Sequence, residues 1–152
     1  MSSAASMTNQ RLDIARRFLV MPNNEQKWMG PAFENAALFH LQSAVLGLLQ
    51  EVKQAYHLSS EIGLLEMHQD AKSKNISIPV VNELIELNAN ANSWFSHMQN
   101  TYDVSLKCQP NFYNAKHDNL IVASVDDRST YLTYLNSLTE LILRFREESS
   151  EY

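Results

Sequence analysis

The chain has 152 residues, 45% of them hydrophobic and 19% charged, the size of one domain with core enough to need no disulfide or metal staple. Seventeen acidic residues against twelve basic ones leave a formal net charge of −5, opposite in sign to the basic stripe of a nucleic-acid binder. Three glycines stand where average usage of ~7% would give about eleven, which disfavours hairpin-rich β folds and glycine-rich phosphate loops.

From the N-terminus, Met7, Leu12, Ala15, Phe18 and Leu19 recur at helical spacing, with Thr8 as the expected N-cap. Pro22 stops this helix near Met21. Residues 22–30, PNNEQKWMG, read as a connector whose Trp28 and Met29 tuck against the core. Pro31 then opens the strongest element, in a first turn where its missing N–H costs nothing. No breaker except Gly47 follows before about His57, and ten of the fourteen residues from Ala36 to Leu49 are apolar. A helix apolar nearly all round belongs at the centre of a bundle.

Ser59 or Ser60 is expected to cap a shorter helix carrying Ile62, Leu65 and Met67, which fades into the polar stretch Gln69 to Asn75. Pro79 starts another with Val80, Leu84, Ile85 and Leu87. The run NANANS at 88–93 breaks the pattern, and Asn92 or Ser93 caps a helix bearing Trp94, Phe95, Met98, Tyr102 and Leu106. Periodicity is lost from Lys107 to Val125, a long connection for a compact domain. Within it LIVAS, residues 120–124, is β-branched without a partner strand and reads as extended. Asp126 or Asp127 caps the last helix, whose Tyr131, Leu135, Leu138, Ile142 and Phe145 alternate in steps of four and three. The expectation is an all-α, single-domain bundle of five or six helices over residues 1–152, built around Pro31–His57.

Cys108 is the lone cysteine, so no intrachain disulfide can form. Arg11, Asp13, Arg16 and Arg17 interrupt any signal-like apolar run, and no stretch approaches a membrane span. A cytoplasmic protein with no membrane partner is expected.

Three segments carry a resemblance: AALFHLQSAVLGLLQEV in the central helix, NSWF at 92–95, and the terminal LTELILRFREESSEY. Together they resemble a bacterial domain-of-unknown-function family of short helical proteins with an ALFHLY-like segment, a D-S-W step and a terminal L-x-L-R-F-R-E. Gln42 stands here for the tyrosine and Asn92 for the aspartate. The resemblance implies a helical bundle in a bacterial cytoplasm and supplies no activity.

Phosphate-loop, dinucleotide and hydrolase-elbow motifs are all missing. A di-metal bundle needs Glu three residues before His, whereas Ala37, Gln54, Leu65, Trp94 and Asn114 precede His40, His57, His68, His97 and His117. No catalytic residue, cofactor or metal site is expected, and Cys108 reads as a plain loop thiol. The ALFHLQSAVLGLL segment also resembles, more weakly, the central helix of HEPN-type domains. Their ribonuclease form needs an Arg followed four to six residues later by His, which no arginine here has.

The polar residues that stand out lie on buried lines. Phe33, Ala37, His40, Ala44, Gly47 and Glu51 share one face of the central helix. Ala44 and Gly47 would admit a close neighbouring backbone, with His40 and Glu51 flanking that contact ~16 Å apart. Each reads as a buried polar anchor needing a partner, or as a ligand contact. Arg144 and Arg146 are the natural partners for the carboxylate, Arg144 being the first choice. A surface pair between Glu140 and Arg144 is the plainer alternative. The function expected is non-catalytic protein interaction or self-association. The alternative is a HEPN-like accessory that handles a small ligand or nucleotide through His40, Glu51 and Arg144.

Overall fold

The computed structural model describes residues 3–22, 26–109 and 120–150, with side chains from Arg128 onward in the last stretch. The described residues form six α-helices and no strand: α1 Ala4–Val20, α2 Met29–Tyr56, α3 Leu64–Ser73, α4 Pro79–Ala89, α5 Trp94–Leu106 and α6 Leu120–Ser149. The fold is all-α, as the periodicities require.

α1 and α2 form an antiparallel hairpin. Thr8 faces Gly47, Arg11 reaches His40, and Phe18 lies against Phe33. A methyl group added at Gly47 would overlap the Thr8 hydroxyl and sit 3.2 Å from its Cβ and 3.4 Å from its Cα. Glycine there lets the two helices approach, which is the role expected of the small residues on this line. α6 closes the hairpin against both helices, while α5 packs on α2 and α6, and α4 joins α3 to α5. The core gathers Leu12, Ala15 and Leu19 with Ala37, Leu41, Ala44, Leu48 and Val52 of α2. Tyr131, Leu135, Leu138, Ile142 and Phe145, the stripe expected of the last helix, are all buried.

Pro22, Pro79 and Ser93 mark boundaries where expected: α1 ends at Met21, Pro79 opens α4, and the Ser93 hydroxyl accepts from Ser96 N at the head of α5. Thr8 is not the cap of α1. Ser3 is, accepting from Ser6 N, while Thr8 is buried and its hydroxyl donates to Ala4 O. Neither Ser59 nor Ser60 caps α3, which starts after Gly63. Their backbone N–H groups donate instead to Asp70 Oδ2 at 2.8 and 3.2 Å, so a side chain from the following helix orders the connector. Trp28 does not tuck inward; it is 63% exposed and its indole donates to Gln26. Its position continues the outward phase of α2, eleven residues before exposed Phe39.

LIVAS is helical, and α6 is already running before Asp126 and Asp127, so neither stands at its start. β-branched residues cost a helix only a few tenths of a kcal/mol each, and with no strand to pair with, continuing α6 satisfies their backbone groups. The rest of the long connection, 110–119, lies outside the described residues.

Three helices end alike. His57, Asn75 and Cys108 follow α2, α3 and α5 with φ of 53°, 56° and 57°. The next N–H bonds back five residues each time: Leu58 to Lys53 O, Ile76 to Ala71 O, and Gln109 to Val104 O. This is the left-handed stop that usually employs glycine. No described glycine has positive φ.

Candidate functional site

His40, Glu51, Arg144 and Arg146 do not converge. Glu51 and Arg146 meet as a pair, while His40 and Arg144 are each held in a separate contact, and the three contacts are spread over four helices.

Glu51 is the most buried of them, at 8% exposure. Its partner is Arg146 of α6, not Arg144. Arg146 Nε donates to Glu51 Oε1 at 2.9 Å and Nη2 to Oε2 at 3.2 Å, a fork on a carboxylate. The same guanidinium donates to Asn9 Oδ1 at 2.9 Å and to Ala5 O at 3.3 Å. One arginine thus stitches α6 to both α1 and α2. The helical phase held the signal: measured from buried Leu138 and Ile142, Arg146 lies nearer the buried arc than Arg144 does.

Arg144 points away, to α4. It donates from both terminal nitrogens to Glu83 at 2.9 Å, with both side chains substantially exposed. These hydrogen bonds raise its already high pKa most; burial opposes them as the next-largest effect, and the charges of Glu83, Glu148 and Glu140 add smaller increases. Glu140 is therefore a distant contributor and Glu83 the partner, a pairing between helices that sequence spacing does not reveal.

His40 sits half-buried between Phe18, whose ring stacks at 14°, and Phe39, edge-on at 86°. Arg11 Nη1 lies 3.4 Å from its Nδ1. A guanidinium can only donate, so Nδ1 accepts and the ring proton resides on Nε2. Burial first and the Arg11 charge second hold the imidazole below its ordinary pKa. A neutral, aromatic-stacked histidine beside a cation is arranged to stay unprotonated.

Asp70 was not singled out in the sequence. The Ser59 N–H lowers its pKa most, against the effect of burial, with Ser60 and Lys74 adding to the lowering. Its work is to hold the α2–α3 connector.

The clefts are shallow. One of about 360 Å³ lies over Glu51, Arg146 and the start of α1. Another, of about 190 Å³, runs between α1 and α6 past Asp13, Arg16 and Arg146. In both, the charged groups already pair with one another. A third, of about 400 Å³, is lined by Asn88, Ala91, Ser96, His97 and Asn100, with no carboxylate or guanidinium among them. Among the described residues no cluster of His, Cys, Asp or Glu could hold a metal ion, and no helix is long and apolar enough to cross a membrane.

The outer face of α2 is different in kind. Trp28, Phe39 and Leu46 are 63%, 54% and 48% exposed and fall on one line of the helix. Between Pro31 and Gln50 the only charged side chain on α2 is Glu34, which is buried. Met7 of α1 is also 41% exposed.

No curated protein and no solved structure matches the chain. A family model matches the chain over its whole length: over residues 1–152 this chain belongs to DUF6586, a family of unknown function.

Proposed function

We propose that the chain is a non-catalytic interaction protein of the bacterial cytoplasm that docks to protein through the outer face of α2. The observation that carries this reading is the uncharged stripe with exposed Trp28, Phe39 and Leu46. Exposing large apolar groups in a contiguous patch is unfavourable in water and commonly marks a docking surface. The alternative, a HEPN-like accessory holding a small ligand, would use His40, Glu51 and Arg144 together. Their separate pairings with Arg11, Arg146 and Glu83 favour the interaction reading.

The test is a photo-crosslinking amino acid at Ser43, in the middle of the stripe, expressed in the native host. Protein adducts should form there and not at Glu66 on α3. Absence of any adduct at Ser43, joined with a rise in Tm from a panel of nucleotides, would replace this reading by the ligand one.

A further inference from the structure

Building on the interaction reading, we infer that the occupant of the α2 face is an acidic segment of another protein, seated with apolar side chains over Phe39 and Leu46 and carboxylates on Arg11 and Lys53.

The edges of the face come first. On one side Arg11 of α1 holds His40, whose ring meets Phe39 edge-on with centroids 5.2 Å apart. That guanidinium therefore borders the exposed phenyl group. On the other side α5 already engages the polar flank of α2: Gln99 donates to Gln42 at 2.7 Å and Ser105 to Asn35 at 3.1 Å. Between these edges α2 presents Phe39, Ser43, Leu46 and Gln50. Lys53 follows, seven residues beyond Leu46 and so on the same line.

The charge on this face is one-sided. Arg16, Arg17, Lys74, Lys107, Arg144 and Arg146 each pair with a carboxylate, whereas Arg11 and Lys53 have none among the described residues. No described acid of α1, α2 or α5 is available to them. Asp13 lines the cleft on the α6 side of α1, bound to Arg16 and Arg17. Glu34 and Glu51 are buried, and Asp103 pairs with Lys107. In a chain of net charge −5, uncompensated cations beside exposed apolar groups select an acidic partner and repel a basic one.

Their spacing fits a peptide segment better than a polyanion or a bilayer. His40, where Arg11 sits, and Lys53 are about 20 Å apart along α2, with Leu46 between them. A nucleic acid needs a stripe of cations along its phosphates, and an anionic membrane a cluster of roughly four to eight. Two cations flanking large apolar groups match neither.

Ser43 lies half-exposed between Phe39 and Leu46, so a photo-crosslinking amino acid there reads the occupant directly. Mass spectrometry of the adduct from the native host should find a segment of net negative charge that carries large apolar residues. Lys53→Glu should cut the adduct yield by about fivefold or more. Lys72→Glu, the same change of charge at an exposed position on α3, should leave it unaltered. An unchanged urea midpoint checks that each variant is folded, and Arg11→Gln, at the other edge, should lower the yield as well. An adduct with a neutral or basic segment or with a second copy of this chain, or equal yields from Lys53→Glu and Lys72→Glu, overturns the acidic partner and leaves the docking face. No adduct from Ser43 at all removes both readings. Phosphatidylglycerol vesicles should not sediment the purified chain; binding that Lys53→Glu abolishes would assign the face to an anionic bilayer and overturn the proposal.

Discussion

Two positions apart on α6, Arg144 and Arg146 meet carboxylates in different surroundings. Glu51 is buried, so Arg146→Ala strands a charge and should cost about 3–5 kcal/mol. Arg144→Ala breaks an exposed pair and should cost about 1 kcal/mol or less. Urea unfolding measures both. A double-mutant cycle should show coupling above ~0.5 kcal/mol for Glu51 with Arg146 and additivity for Glu51 with Arg144. That a carboxylate facing the core needs an arginine was legible from the sequence; which arginine depended on the rotation of α6, and Glu83 on the placement of α4. His40 makes the second residue-level prediction. Its pKa is lowered in the fold, so on acidification the unfolded chain takes up a proton first, near ~6.5. Its contribution to stability is full above that pH and declines as the pH falls through it toward the lower folded value. The urea midpoint should therefore drop more for wild type than for His40→Gln between about pH 7.5 and about pH 5.5. Equal slopes would mean that Arg11 and burial leave the imidazole unshifted.

The left-handed stops after α2, α3 and α5 belong to the element scale. An L-residue in that conformation costs roughly 1–2 kcal/mol and glycine avoids the clash, at a cost in unfolded-chain entropy. His57→Gly and Cys108→Gly, both at exposed positions, should each raise stability by about 0.5–1 kcal/mol. A loss in thermal unfolding would show that these side chains carry something beyond the turn. The scarcity of glycine was read correctly as evidence against a β fold, but not as evidence against positive φ, because His, Asn and Cys occupy the positions here. Boundaries ruled by local chemistry were legible: Pro22, Pro79 and Ser93 act within one turn of themselves. Those at Ser59, Ser60 and Trp28 were not, since Asp70 reaches back from another helix and the phase of α2 turns the indole outward. LIVAS reads as extended by local preference, yet the backbone satisfies itself more cheaply by lengthening α6.

Across the whole molecule, α6 supplies the third wall of the α1–α2 hairpin. Ending the chain before Tyr131 removes Tyr131, Tyr134, Leu135, Leu138, Leu141, Ile142 and Phe145, all buried. At ~1.5–3 kcal/mol for each buried side chain, their sum rivals the ~5–15 kcal/mol that holds a domain together. The shortened chain should keep helical far-ultraviolet circular dichroism but lose the near-ultraviolet signal and bind a hydrophobic dye; a cooperative unfolding transition would contradict the role given to α6. The overall class and the buried stripe of α6 were legible from periodicity alone. The site was less so, because an exposed stripe on a helix that is apolar nearly all round looks like core until its neighbours are placed. The Arg146–Glu51 contact also has a consequence in time. It joins residues 95 positions apart, and a ribosome adding ~5–20 residues per second needs roughly 5–20 s to travel from one to the other. Helices themselves form within about a microsecond. A nascent hairpin of α1 and α2 therefore waits through most of synthesis with an unpaired carboxylate and an open apolar wall, and translation rather than folding sets the length of its exposure to chaperones and proteases.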